Sequence, residues 1–186
     1  MENKIKILAF AGSLRRGSFN RALLHTAVEL APEDAEIEIF DLEGIPLYNE
    51  DLLASMPAKV TFFKNRIKAA DAILIATPEY NHSVPGVLKN ALDWASRPAG
   101  DNAFKDKPAA IMSAATGMIG GARAQIDLRH TFVFLEMHAV NRPEVYITFA
   151  DQKFDTNGRL TDEKARGLVK DLLTALINWT RRLQPK

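Results

Sequence analysis

The chain has 186 residues, 47% apolar and 25% charged, which fits one ordinary globular domain spanning 1–186 and excludes a disordered or fibrous chain. Its 24 basic and 23 acidic side chains leave a formal charge of +1, which gives no basis for a nucleic-acid or membrane-surface partner. With no cysteine, disulfides, thiolate metal sites and cysteine nucleophiles are excluded, so any redox chemistry requires a bound cofactor.

Met1–Lys4 runs directly into an apolar segment too short for a signal sequence or a bilayer span, so a cytoplasmic location is expected. Ile5–Ala11 reads as a first strand ending at Gly12–Ser13. A helical stripe follows in Leu23, Leu24, Ala27, Val28 and Ala31. Ile37–Leu42 alternates as a second strand and leads into a loop with Pro46 and Tyr48. Val60, Phe63, Ile67 and Ala70 mark a second helix, and Ala72–Thr77 a third strand that stops at Pro78.

Val84, Leu88, Ala91 and Ala95 mark a third helix, with Ser83 as its expected N-cap and Pro85 in its first turn. A fourth strand is expected at Ala109–Ala115, a fourth helix over 121–135 and a fifth strand at Glu144–Thr148. The last helix, from Thr161 to Leu183, has Asp162 and Glu163 at its start and Arg181–Arg182 at its end, as the helix dipole favours. Continuous apolar strands alternating with helices predict an α/β three-layer sandwich around a parallel sheet with right-handed crossovers.

In such a sheet, ligands bind beyond the carboxyl ends of the strands where the winding reverses. For a flavodoxin-like order of 2-1-3-4-5, that crevice lies between the first and third strands. The loop after strand one, Gly12 to Asn20, turns on glycine and enters a helix, so free N–H groups there suit a phosphate. Ser13, Ser18 and Asn20 add neutral donors and Arg15 a charged one. The bland reading is that Ser18 only caps the helix and Arg15 is solvated. The Walker lysine and the dinucleotide Gly-x-Gly-x-x-Gly are both absent here.

The loop after strand three, Pro78 to Gly86, suits a flat polar ring, with backbone groups near Glu79–Asn81 and the face of Tyr80; otherwise it is a proline-bounded turn. The loop after strand four, Thr116 to Gly121, allows close backbone approach, or is an ordinary helix entry.

Gly12-Ser13-Leu14-Arg15-x-x-Ser18-x-Asn20 together with Pro78-Glu79-Tyr80-Asn81-x-Ser83-x-Pro85-Gly86-x-Leu88-Lys89-Asn90 resembles the NADPH-dependent FMN reductase family, in particular its bacterial quinone and chromate reductase branch. The resemblance implies that Ser13, Leu14, Arg15, Ser18, Phe19 and Asn20 hold the FMN phosphate. It implies that Pro78, Glu79, Tyr80 and Asn81 line the flavin ring, and that Ser113, Ala115, Thr116 and Gly117 close its other edge. It further implies ping-pong hydride transfer from NADPH or NADH to quinones, chromate, azo or nitro compounds or free flavin, with no catalytic acid–base pair. Family members form dimers or dimers of dimers, which implies the same here. His82 stands where close relatives often carry Tyr or Arg.

Other chemistry finds little support. His25, His82, His130 and His138 have no metal-ligand spacing, and no Gly-x-Ser-x-Gly elbow is present. Glu79 reads as an ion-paired or solvated carboxylate rather than a general base. Arg123 and Glu144 read either as a pair between subunits or as surface charges. Met118 and Ile119 cover a ligand or face a dimer partner, while Phe132, Phe134, Leu135, Met137 and Trp94 read as core. A flavodoxin-type electron carrier is the rival function, disfavoured because such carriers are strongly acidic.

Overall fold

The computed structural model describes residues 4–184, so Met1–Asn3 of the expected lead-in lie outside the described residues. Six strands and five helices follow in the order β1 (Ile5–Ala11), α1 (Phe19–Glu29), β2 (Ala35–Phe40), α2 (Ala58–Ala69), β3 (Ala72–Ala76), α3 (Gly86–Ala95), β4 (Pro108–Ala114), α4 (Ala122–Phe134), β5 (His138–Ala139), β6 (Val145–Ile147) and α5 (Glu163–Leu183). The strands form one parallel sheet of order 2-1-3-4-5. This is the flavodoxin-like arrangement.

The fifth position is shared by two short strands. β5 pairs with the start of β4 (Pro108 with His138), and β6 pairs with its end (Met112 with Val145). His138 therefore belongs to the sheet. A strand of two residues is too short to show periodicity, so the sequence pattern catches β6 alone.

β2 also starts and ends two residues earlier than the alternation suggests. Its end has a local cause: the Asp41 carboxylate accepts the Glu43 N–H at 3.0 Å and turns the chain off the sheet.

Side-chain direction divides the core between the two faces. Ile7, Ala9 and Leu74 point toward α1 and α5, whereas Leu8, Phe10, Ile73 and Ile75 point toward α2, α3 and α4. All five residues of β3 are buried, which accounts for its uninterrupted apolar run. Truncating a core Ile of this kind costs about 2–5 kcal/mol. Trp94, Phe132, Leu135 and Met137 join the buried set, but Phe134 is 69% exposed, with the Arg97 guanidinium over its ring. Helical spacing explains the difference: Phe132 faces the sheet, and a residue two positions later does not.

The helix starts reflect their local chemistry. The Ser18 hydroxyl accepts the Arg21 N–H at the start of α1, and the Asp162 carboxylate accepts the Ala165 N–H at the start of α5. Ser83 does not cap α3, whose N-cap is Pro85. The Ser83 backbone is committed instead to a hairpin with Tyr80.

Candidate functional site

Because β1, β3 and β4 are adjacent and parallel, the loops that follow them open on one edge of the sheet. Their packing leaves little room for a side chain at Gly12. A Cβ on Gly12 would lie 3.1 Å from Thr77 Oγ1 and 3.2 Å from Leu88 Cδ2, so the first loop is pressed onto the third strand and α3.

The first loop presents donors. Ser13 and Ser18 are almost buried, while Leu14, Arg15, Arg16 and Gly17 are exposed. No carboxylate occurs between Gly12 and Asn20. The N–H groups of Phe19 and Asn20 open α1 and have no acceptor within the helix, and the positive end of the helix dipole adds to them. Ser18 does cap the helix, at 3.4 Å from Arg21 N, but a hydroxyl that accepts retains its own proton to donate. Arg15 lies over the Phe19 ring at 5.7 Å, which holds the guanidinium beside the loop.

The Asn20 side chain is 2% exposed and turned toward β4. Its Nδ2 donates to the Ala114 carbonyl at 2.8 Å, and its Oδ1 accepts the Ala114 N–H at 2.9 Å. Asn20 clamps the first loop to the fourth strand.

The second loop is a tight hairpin. Tyr80 and Ser83 exchange backbone hydrogen bonds at 3.1 and 3.0 Å, and Asn81 and His82 between them have φ of 51° and 65°. Two successive left-handed residues make a type I′ turn, which asparagine tolerates better than most side chains. Pro78 is buried, whereas Tyr80, Asn81 and His82 are exposed at the rim. Glu79 is committed to α4. Its carboxylate accepts the Arg123 backbone N–H and the Arg123 guanidinium, each at 3.0 Å, and so serves the N-terminus of α4. Arg123 is thus paired within the chain, and Glu144 pairs with Arg142 and accepts the Tyr146 hydroxyl. Burial and that carboxylate both push the Tyr146 phenol above its usual pKa.

The third loop is fixed at both ends. Ala115 N–H donates to Ile147 O, and Ala150 N–H donates back to Ala115 O, each at 3.0 Å. At the far end Gly120 and Gly121 adopt φ of 64° and 89°, and a Cβ on Gly121 would lie 2.7 Å from Ser113 Cβ. Between them Thr116, Gly117, Met118 and Ile119 line the exposed part of the loop.

Ser113 also departs from its expected place: it is completely buried, and its hydroxyl donates to Gly120 O at 2.6 Å. It supports the loop from below rather than facing the rim. Gln125, which no sequence motif singles out, completes this support. Its amide Nε2 donates to Ser113 Oγ at 2.7 Å and to Val145 O at 2.9 Å.

The rim itself is formed by the exposed residues of these three loops. A cavity of about 280 Å³ that touches Ser13 lies outside it, between α1 and the end of β2, walled by Arg21, His25 and Asp41. Among the described residues no three His, Asp or Glu side chains gather as metal ligands, and no helix is long and apolar enough to cross a membrane.

Known proteins share this arrangement. The family described as NADPH-dependent FMN reductase matches residues 5–152. An NAD(P)H-dependent FMN reductase of Pseudomonas aeruginosa is 54% identical, covering 99% of this chain and 100% of its own length. A 2-hydroxy-1,4-benzoquinone reductase of a Burkholderia species is 43% identical, covering 95% and 97% of the two chains. Among solved structures, the flavoenzyme NAD(P)H:acceptor oxidoreductase FerB of Paracoccus denitrificans superposes with a TM-score of 0.89 at 36% identity, covering 96% of this chain and 98% of its own. With a family match over residues 5–152 and relatives across nearly its whole length, the chain belongs to the NADPH-dependent FMN reductase family.

Proposed function

We propose that the rim crevice binds FMN and that the protein is an NAD(P)H-dependent reductase of quinones and similar small acceptors. The observation that carries this reading is the donor set at the start of α1. Two first-turn N–H groups, two serine hydroxyls and Arg15 belong to one loop without any carboxylate. That set matches a terminal phosphate dianion better than a neutral group.

The remaining rim suits a planar ring. Pro78 to Asn81 offer main-chain donors and acceptors held in fixed directions by the hairpin, with the half-exposed Tyr80 as an aromatic face. Ala115, Thr116 and Gly117 offer the opposite edge, and a methyl group added at Gly117 would meet nothing within 4 Å, which leaves room for a ligand. FMN, when bound, supplies two-electron hydride chemistry between a nicotinamide and an acceptor. The chain's own tasks are to hold the phosphate, orient the ring and leave one face open to successive visitors. The backbone N–H groups of Asn81, Thr116 and Gly117, which are not spent on the sheet, would favour negative charge on the ring edge. No side-chain acid or base is required for these tasks.

Quinone reduction is the acceptor class closest to the names of the relatives; chromate, azo and nitro compounds and free flavin fit the same open face. Self-association as a dimer or tetramer belongs to the same reading. The outer side of α4 offers a surface for it, with Ile126 52% and Val133 79% exposed.

The test is anaerobic mixing of FMN-reconstituted protein with NADPH or NADH, followed by a quinone. Bleaching of the visible flavin band and its recovery on quinone addition are expected. Bleaching with neither nucleotide would leave a carrier role and remove the reductase. Light scattering at several protein concentrations reads the assembly.

A further inference from the structure

We infer that Gln125 is a positioning residue for the bound flavin, acting through Ser113 on the loop that closes one edge of the ring. The inference rests on the FMN reading above and concerns what sets the shape of the site.

Gln125 lies on α4 with no exposed surface, and Ser113, at the end of β4, has none either. The Gln125 amide gives one proton to Ser113 Oγ at 2.7 Å and the other to Val145 O at 2.9 Å. Since Ser113 Oγ accepts from Gln125, its own proton is directed elsewhere, to Gly120 O at 2.6 Å. This relay fixes the orientation of the peptide that joins Gly120 to Gly121. Both glycines have positive φ, and Gly121 has no space for a Cβ against Ser113. The exposed loop immediately before them is therefore held at its far end by a side-chain relay rather than by sheet pairing.

Stability alone gives a poor account of this amide. Gln125 Oε1 is buried and receives no hydrogen bond from the chain. A partly satisfied buried network is weaker than an apolar side chain of similar volume, and each unpaired group in it calls for an explanation. Replacing Gln125 by methionine removes the unpaired Oε1 together with the two bonds that the amide donates, to Ser113 Oγ and Val145 O. The relief of the one offsets the loss of the others, so folding stability should change little. The orientation of the Ser113 hydroxyl is what disappears.

The experiment compares Gln125→Met, Ser113→Ala and the double variant with the FMN-loaded parent. Each is measured by flavin fluorescence titration, flavin midpoint potential and urea unfolding of the apoprotein. Gln125→Met should weaken FMN binding about tenfold, the equivalent of one buried hydrogen bond, and shift the potential, with an unfolding midpoint close to the parent's. Ser113→Ala should weaken binding at least as much, and the double variant no more than Ser113→Ala alone, because both act through one relay. Unchanged FMN affinity and potential in Gln125→Met overturns the inference. So does failure of both Gln125→Met and Gln125→Leu to fold, which would make the amide structural. A parent protein that ignores FMN removes the functional reading itself, and the two failures are thereby distinct.

Discussion

Asn20 and Ala114, 94 residues apart in sequence, exchange two hydrogen bonds: the amide donates to the Ala114 carbonyl at 2.8 Å and accepts the Ala114 N–H at 2.9 Å. This pairing adds what is in effect one more rung of sheet between the loop after β1 and the end of β4. Asn20→Ala leaves a buried N–H and a buried C=O without partners, and is expected to cost about 2–4 kcal/mol. Asn20→Asp should cost at least as much, because a carboxylate oxygen then faces the Ala114 carbonyl in a buried site. Urea unfolding of the apoprotein measures both. A change under about 0.5 kcal/mol in either would show that the clamp contributes nothing.

Glu79 joins the third-strand loop to α4 by two bonds of different worth. The guanidinium bond to Arg123 is solvated, with Arg123 45% exposed, whereas the bond to the Arg123 N–H caps a helix start from a carboxylate that is 11% exposed. Arg123→Ala keeps the main-chain bond and should cost less than about 1 kcal/mol. Glu79→Ala removes the cap and the charge at the positive end of the helix, for about 1–2 kcal/mol. Glu79→Gln retains an acceptor and falls between them. The reverse order in chemical denaturation would mean that the surface ion pair is what matters.

Much of this architecture is legible in the sequence because it depends on local signals. β1, β3 and β4 are buried on both faces and read as unbroken apolar runs, and the helices carry stripes of the right period. The three loops of the rim are legible for a similar reason: glycine, proline and serine sit directly after those strands. What the sequence does not encode locally is the direction in which a polar side chain spends its hydrogen bonds. Asn20 and Ser113 have the donor chemistry a phosphate or flavin wants, yet both are consumed by backbone groups that only the folded chain brings near. Gln125 is invisible for the converse reason, since a glutamine amid helical spacing looks like solvated surface. Likewise Ser83, next to Pro85, has the residue type of an N-cap. Two left-handed residues before it commit its backbone to a hairpin instead.

Two glycines of the third loop should separate folding from ligand contact. Gly121→Ala places a methyl in a left-handed conformation, φ 89°, and within 2.7 Å of Ser113 Cβ. Strain and overpacking together should cost about 2–4 kcal/mol in unfolding experiments. Gly117→Ala meets nothing within 4 Å. Its stability should remain within about 1 kcal/mol of the parent's, or rise slightly. If the flavin edge lies against this residue, the same methyl should nevertheless weaken FMN binding about tenfold. Full affinity in Gly117→Ala would move the ring away from the 115–117 backbone.

Acid should loosen the far side of the molecule through Asp101. Lys64 is a buried ammonium on α2, its side chain 4% exposed, and it pairs with Asp101 Oδ2 at 3.0 Å and donates to the Asp101 carbonyl at 2.9 Å. Hydrogen bonds from Lys68 first, and from Lys64 second, lower the Asp101 pKa below the usual carboxylate value. A carboxyl whose folded-state pKa is depressed contributes stability that is complete above its unfolded value, about 3.9, and is lost as pH falls through the lower folded value. Asp101→Asn should therefore cost about 1–2 kcal/mol at pH near 7, less than for a fully buried pair because Asp101 is 43% exposed. The gap between parent and variant should then narrow as pH drops below about 4 and close below the lower folded value, where the parent's aspartic acid is as neutral as the amide. Urea unfolding of both proteins across that range reads the gap directly. A difference that stays constant down to the acid limb would mean that Asp101 acts by shape and backbone hydrogen bonding rather than by its charge.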